Sequence, residues 1–312
     1  MESLAKSGEF IFVKSVKDGI PNRDPLAESD ARRLFDEADG RISLTDVSVK
    51  RDVRDYVLDK YTDGGEDKNC FVFVREERNE SGKLLSRADL AKRTKEIKGY
   101  DKDVPMKQVL IESAFDVRAF GAVYSVSSEA FNLTGPVQFA WAHSLHPVET
   151  KYVQGTVVMP SSDDKGQGTI WTSFITPFAV FSMYGVVNNA LAQYTQMTEA
   201  DMDLVLEGLW KGTQNRQARG RGLQQPLFLL HVEYADPFFR IGYLDEGVTL
   251  IPEAEEWRKP VKPSKIDEIQ LDVQNLAATL AKYQDKIARC RVWVNPSLQI
   301  IGDLPAEVGK PW

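Results

Sequence analysis

Leu44-Thr-Asp-Val-Ser-Val-Lys-Arg-Asp-Val-Arg-Asp-Tyr56 is the stretch on which the reading of this chain turns. Val49, Val53, Tyr56 and Val57 recur at i, i+4, i+7 and i+8, the spacing that lines one face of an α-helix. Ser43 or Thr45 can accept from the free N–H groups of the first turn, and Asp46 sits where the helix dipole favours an acid. The pattern predicts a helix from about Leu44 to Tyr61. Upstream, Glu9-Phe-Ile-Phe-Val-Lys-Ser-Val16 is apolar and β-branched, a strand, followed by a polar loop holding Pro21 and Pro25. Downstream, Thr62-Asp-Gly-Gly65 is a turn, and Asn69 to Glu76, with its aromatic and valine residues, reads as a second strand. The chain is thus expected to open strand–helix–strand.

Working outward, Arg78 to Pro105 is charged and weakly periodic, a surface insertion, and Met106 to Glu112 reads as a further strand. Phe115 to Tyr124 and Leu133 to Trp141 are compact, apolar and punctuated by glycine, and Ser161-Ser-Asp-Asp-Lys-Gly-Gln-Gly168 is a turn or hairpin tip. Thr198-x-x-Asp201 resembles a capping box ahead of Met202, Val205 and Leu209, with Gly212 placed to end that helix. Ser264 is placed to cap a long helix along Ile269, Val273, Leu276, Leu280, Tyr283 and Ile287. Strands Pro226–Tyr234 and Cys290–Val294 follow these two helices. Interleaved elements of this kind predict an α+β sandwich, with helices on one side of a mostly antiparallel sheet.

The 312 residues suffice for one elaborated domain or two small ones, and 42% hydrophobic with 27% charged residues is ordinary for a soluble globular protein. No apolar run approaches the ~20 residues of a membrane span, and no basic-then-apolar leader opens the chain. The two cysteines, Cys70 and Cys290, are far apart and form no CxxC. The expectation is a soluble cytoplasmic protein without membrane contact, disulfide scaffold or zinc ribbon. A net charge of −7 argues by itself against nucleic acid, but its distribution does not. Lys211, Arg216, Arg219 and Arg221 lie together without an acid. Seven bases face three acids between Lys83 and Lys102, while acids gather between Asp236 and Glu268.

Phosphate-loop, dinucleotide, zincin and nucleophile-elbow motifs are all missing. His143 and His146 with Glu149 fall short of a usual zinc set, and no nucleophile stands beside a base, so neither catalytic nor metal residues nor a cofactor are expected. Lys50, Arg51 and Arg54 lie between the apolar positions of the first helix. Lys50 and Arg54 are like charges at i, i+4, and Asp55 can pair with Arg51, so the group reads either as surface ion pairs or as a grip on successive phosphates. Gly212-Thr-Gln-Asn-Arg-Gln-Ala-Arg-Gly-Arg-Gly222 reads either as an exposed linker or as a basic loop able to follow a nucleic-acid backbone.

Four segments in order carry a resemblance. They are Pro21-Asn-Arg-Asp-Pro25 with Arg32-Arg33 and the 44–56 helix; Phe115-Asp-Val-Arg-Ala-Phe-Gly121; Leu133-Thr-Gly-Pro-Val-Gln-Phe-Ala-Trp-Ala-His-Ser-Leu-His-Pro-Val-Glu149; and Phe181-Ser-Met-Tyr-Gly-Val-Val-Asn188, with Leu209-Trp210 and Leu229–Tyr234 behind it. Together they resemble the backbone-subunit family of type I CRISPR effector complexes (the Cas-seven family of the RAMP superfamily), closest in wording to the type I-B branch. They cover most of residues 10–235; residues 236–312 carry no matching motif. The resemblance implies a modified RNA-recognition (ferredoxin-like) palm from residues 1–76 and 176–312, an inserted fingers region and sheet extension at 77–175, and a thumb hairpin near 211–225.

It further implies a non-enzymatic protein whose copies stack head-to-tail along a guide RNA, present it to a target DNA strand, and join other Cascade subunits. The RNA-binding residues it implies are Asn22, Arg23, Lys50, Arg51, Arg54, Gln138, His143, Arg216, Arg219 and Arg221. Two departures stand out: Arg23 occupies the family's usual glycine, and Gln224-Gln-Pro226 replaces a basic start to the strand after the thumb. Relatives that cleave target RNA use an acid in the loop after the first strand. Asp24, Asp30, Asp36 and Asp39 make a metal-dependent ribonuclease the alternative.

Overall fold

The computed structural model describes residues 3–126, 129–157, 170–218, 220–309 and 312. Its strands are β1 (Gly8–Lys17), β2 (Ser43–Leu44), β3 (Gly121–Val126), β4 (Glu129–Thr134), β5 (Val137–Phe139), β6 (Ala142–Ser144), β7 (Lys151–Thr156), β8 (Ile170–Ile175), β9 (Phe178–Val187), β10 (Leu223–Tyr234), β11 (Thr249–Ile251), β12 (Gln270–Asp272), β13 (Ile287–Val294), β14 (Gln299–Ile301) and β15 (Glu307–Val308). Its α-helices are α1 (Asp46–Lys60), α2 (Arg87–Lys98), α3 (Met106–Ser113), α4 (Phe115–Phe120), α5 (Asn189–Thr195), α6 (Glu199–Asn215) and α7 (Gln274–Lys282). Among these none is long and apolar enough to cross a membrane.

The main sheet runs β15-β13-β10-β1-β9-β6-β2, with β5 also paired to β9, and every pairing is antiparallel except β13 with β15. β1 lies at its centre because both of its faces are apolar. Phe10, Phe12 and Val16 point to a core shared with α1 and α6, through Val49, Val53, Val205 and Leu209. Ile11 and Val13 point to a second core under α7 and the β11-β12-β14 sheet, through Leu271, Leu276 and Leu280. The expected α+β architecture holds, but helices do not keep to one side: a helix and a small sheet cover the other face as well. A third, smaller core joins α2, α3 and the β3–β4 hairpin.

Two charges, Glu9 and Lys14, are buried in β1. Glu9, near the start of the strand, accepts from the hydroxyls of Tyr184 and Tyr234 and from the backbone N–H of Ile241 and Gly242. Four donors on one carboxylate offset much of its desolvation and fix the chain beyond β10. Lys14, in the other half of the strand, faces α1 and is paired there with Asp52.

Several expected elements come out differently. Asn69–Glu76 is no strand: the N–H groups of Phe73 and Val74 donate to the Asp116 carboxylate, which replaces a neighbouring strand, and only Phe71 bridges to Ala114. Met106–Glu112 is helical, its buried Met106, Val109, Leu110 and Ser113 spaced i, i+3, i+4, i+7. The 78–105 insertion contains α2, started by a Ser86–Asp89 capping box and stopped by Gly99 in the left-handed conformation. The long helix over Ile269–Ile287 divides into β12, α7 and the first residue of β13, since Leu271 pairs with Leu250 and Ile300 in a sheet. Ser264 caps no helix there; its N–H and hydroxyl meet Glu268. The turn at 161–168 lies outside the described residues.

Thr45 caps α1 by accepting from the Ser48 N–H, and Thr198 and Asp201 form the capping box of α6. Gly212 does not end α6; it lies inside, where a Cβ would fall 2.3 Å from the Asp52 carbonyl oxygen. Glycine there sets the approach of α6 to α1. Gly212→Ala should therefore destabilise the protein by about 1–3 kcal/mol despite alanine's better helix propensity, which a urea unfolding midpoint would measure.

His146 and His231 give a pH dependence. His146 Nε2 accepts from the Val180 N–H, and its ring stacks on Trp257; burial pushes its pKa down to about 3. Burial, with Arg291 beside it, does the same to His231, to about 3. Their ordinary value is 6.5, so the unfolded chain binds more protons between pH 3 and 6.5. Stability should fall as pH drops below 6.5, by roughly 1.4 kcal/mol per pH unit for each ring. His146→Gln should flatten the fall in urea titrations between pH 7 and 5.

Candidate nucleic-acid interface

Asp52, on the sheet side of α1, is 1% exposed and is met by cations from three other places in the chain. Lys14 Nζ in β1 lies 2.9 Å from Oδ2, while Arg216 Nη1 at the end of α6 and Arg221 Nη2 before β10 lie 2.8 and 3.0 Å from Oδ1. One turn further along α1, Asp55 pairs with Arg51 at 2.5 Å and with Arg216 Nε at 3.1 Å. Four cations thus surround two carboxylates, and the cluster carries a surplus of two positive charges.

Burial opposes the Asp52 carboxylate, but Lys14, Arg221 and Arg216 outweigh it and hold its pKa below the usual range. Burial lowers Lys14 from its ordinary value, with Asp52 pulling the other way. The arginines reach solvent to different degrees: 41% for Arg51, 24% for Arg216 and 15% for Arg221. Arg51 and Arg216 are therefore the groups an external anion meets first.

The loop after β1 frames the cluster. Asn22 Oδ1 accepts from the Thr45 N–H and so fixes the loop to the start of α1. Arg23 Nη2 donates to Ser173 Oγ, the Phe174 carbonyl and the Gly220 carbonyl, and Nη1 to the Ser29 carbonyl. These acceptors are neutral, so the guanidinium charge is held in place without a contacting carboxylate among the described residues. Gly220 has φ +84°, and a Cβ there would stand 3.0 Å from Arg23 Nη2. Two hollows of about 490 and 410 Å³ adjoin here, sharing Asp18 and Gly220. Trp171 of the β7–β8 hairpin walls the second.

Arg51, Arg216 and Arg221 are thus brought together, with Asn22 and Arg23 beside them. Lys50 and Arg54 are directed elsewhere. Lys50 pairs with Asp46 at 2.9 Å and lies over the rings of Phe120 and Phe139. Arg54 is buried against Asp116 at 2.8 Å. Gln138 Nε2 donates to the Gly135 carbonyl, closing a turn. His143 Nδ1 meets Ser43 Oγ across the β2–β6 pair, its ring against Phe35; burial and the nearby Arg41 lower its pKa. Arg219 lies outside the described residues. Within residues 211–225, α6 runs to Asn215 and β10 begins at Leu223.

Reasoning from sequence misses Lys14 and Asp52, although each carries a signal. Lys14 shares its period-2 face with Phe10, Phe12 and Val16, and Asp52 falls three residues after Val49, beside the stripe. An ionisable group on a core-facing position requires a partner there.

The other charged stretches are partly ion-paired. Lys259 and Lys265 pair with Glu256 and Asp267 within the acid-rich 236–268 stretch, and Lys262 pairs with Glu149 outside it. In α2, Lys92 pairs with Glu96 and Arg93 with Asp63 and Glu77. A larger hollow, about 1170 Å³, lies at the far end of the α1–α6 pair, between α3 and the last strands. Its two buried arginines are paired, Arg118 with Asp201 and Arg291 with Asp203, each at 2.7 Å.

Comparison with known proteins agrees with the fold. A CRISPR-associated protein Cas7 of Haloferax volcanii is 27% identical over 339 residues, spanning 100% of this chain and 94% of that one. A chain of the solved structure described as a CRISPR RNA-guided surveillance complex, pre-nicking, superposes with a TM-score of 0.55 at 13% identity, covering 96% of this chain and 97% of that one. A chain of a CRISPR RNA-guided surveillance complex is 16% identical, with a TM-score of 0.49 over 95% of each. The family model for CRISPR-associated protein Cas7 matches residues 6–274, and the chain belongs to that family.

Proposed function

We propose that this chain binds guide RNA through its phosphates and stacks head-to-tail as the repeating backbone of a type I surveillance complex, leaving the guide's bases to pair with target DNA. It works there as a scaffold and not as an enzyme. The observation that carries the reading is the cationic surplus around Asp52, where Lys14, Arg51, Arg216 and Arg221 meet only two carboxylates. Arginine suits this task because its planar fork matches phosphate oxygens. Contacts to phosphate are blind to base identity, as a carrier of many different guides requires. The relatives' descriptions as Cas7 and as parts of RNA-guided complexes support the same partner. For the ribonuclease alternative, Asp24, Asp30 and Asp39 are engaged within or beside their own loop, with Arg32, Thr150 and Arg41, and the described residues gather no metal-binding group of acids, histidines or cysteines.

The chain purified from cells that co-express a CRISPR array, with the partner subunits of its complex, should yield a large particle holding short RNAs with repeat-derived ends. A particle free of RNA would sink the reading. Arg51→Gln combined with Arg216→Gln should lower RNA yield and reduce the salt slope of binding by about 0.7 for each phosphate no longer neutralised; Arg51→Gln alone, whose partner Asp55 is half-exposed, should do so in part with little change in melting temperature. Arg54→Gln should act the other way round, lowering stability by about 3–5 kcal/mol through the stranded Asp116, as a urea titration would show.

A further inference from the structure

We infer that Asp52 is the positioning residue of this interface, an acid without which the phosphate-binding face does not form; the inference rests on the RNA-binding reading above. On charge alone Asp52 is misplaced, since it cancels one positive charge at the centre of a face built to attract anions. Its geometry supplies the reason. Arg216 and Arg221 flank a short segment between α6 and β10, turned by Gly220 and Gly222 at φ +84° and +76°. Asp52 Oδ1 accepts from both arginines, at 2.8 and 3.0 Å, while Oδ2 accepts from Lys14 at 2.9 Å. One carboxylate therefore gathers three like charges that would otherwise repel one another and swing outward.

The carboxylate is itself immobile. It sits inside α1, almost fully buried, with the backbone of Gly212 packed against its own carbonyl. The other ties on the segment are hydrogen bonds to neutral carbonyls, from Arg23 and the Ile20 N–H to Gly220, from Arg221 to Pro21 and from Arg216 to Ser48, together with the half-exposed ion pair of Arg216 with Asp55. Arg221 Nε is buried without a partner, so the guanidinium is not saturated by the protein's own acceptors. Asp55 provides the contrast. It is 25% exposed, touches Arg51 and Arg216, and holds no element that Asp52 does not already hold.

The test compares full-length Asp52→Asn and Asp55→Asn with the wild type, using a single-stranded RNA of mixed sequence titrated at several salt concentrations. Asp52→Asn should bind about tenfold more weakly and with a shallower salt slope, as when roughly two phosphates go unmatched, although the protein has gained a unit of positive charge. Amide hydrogen exchange across 216–222 should quicken in the same variant. Asp55→Asn, which adds a unit of positive charge to the cluster and releases no element, should bind more tightly than the wild type.

Equal or tighter binding by Asp52→Asn, with an unchanged slope and protected 216–222 amides, would overturn the positioning role. Should Asp52→Asn fail to fold, the double variant Lys14→Met/Asp52→Asn removes the stranded ammonium and is read in the same way. Wild-type protein without affinity for RNA would instead overturn the function from which the inference starts.

Discussion

A buried carboxylate that three cations share is the contact on which much of this molecule depends. Asp52 joins the central strand, the first long helix and the segment between α6 and β10, which lie far apart in sequence. A charge so deeply buried is costly unless matched, and matching it fixes where each partner must be. The arrangement therefore links fold and surface: the packing of α6 against α1 through Gly212 brings Arg216 to Asp52, and the turn at Gly220 and Gly222 brings Arg221.

The same strand uses charge twice. Glu9 and Lys14 occupy the two halves of β1, both buried, Glu9 met by four donors and Lys14 by Asp52. Glu9 is satisfied by neutral donors and holds the chain that leaves β10. Lys14 is satisfied by an acid that recruits further arginines. The first is a negative charge met by dipoles alone; the second leaves a positive surplus, and there the surface gains a means of attracting an anion. The larger hollow beneath α3 shows the converse, since its buried arginines, Arg118 and Arg291, are each matched by an acid.

How much of this could be read from sequence depends on whether the governing contact was local. Helix α1, its cap and the strand β1 follow from periodicity and an adjacent hydroxyl, and both were legible. The α6 capping box was legible for the same reason. Asn69–Glu76 misled because its β-forming side chains find their backbone partner in Asp116, over forty residues away. Ile269–Ile287 misled because a face that suits one helix equally suits a strand and a helix in series above the same core. At the interface, Arg51, Arg216 and Arg221 could be nominated as bases able to meet a phosphate, but sequence held no sign that Lys50 and Arg54, on the same helix, turn towards Phe120 and Asp116 instead. Family resemblance nominated residues on both sides of α1; geometry shows which of them share one cluster.

The central place of β1 also bears on how the chain is made. Its two neighbours are β9 and β10, which begin at Phe178 and Leu223, so the first strand to be synthesised cannot be paired on both edges until more than two-thirds of the protein has followed it. Such long-range pairing slows folding, because loop closure precedes any reward from contact. Until then an edge of alternating aromatic and aliphatic residues stays unpartnered in the nascent chain. The anion-attracting cluster, which needs Arg221 as well as Lys14, is completed at the same late moment.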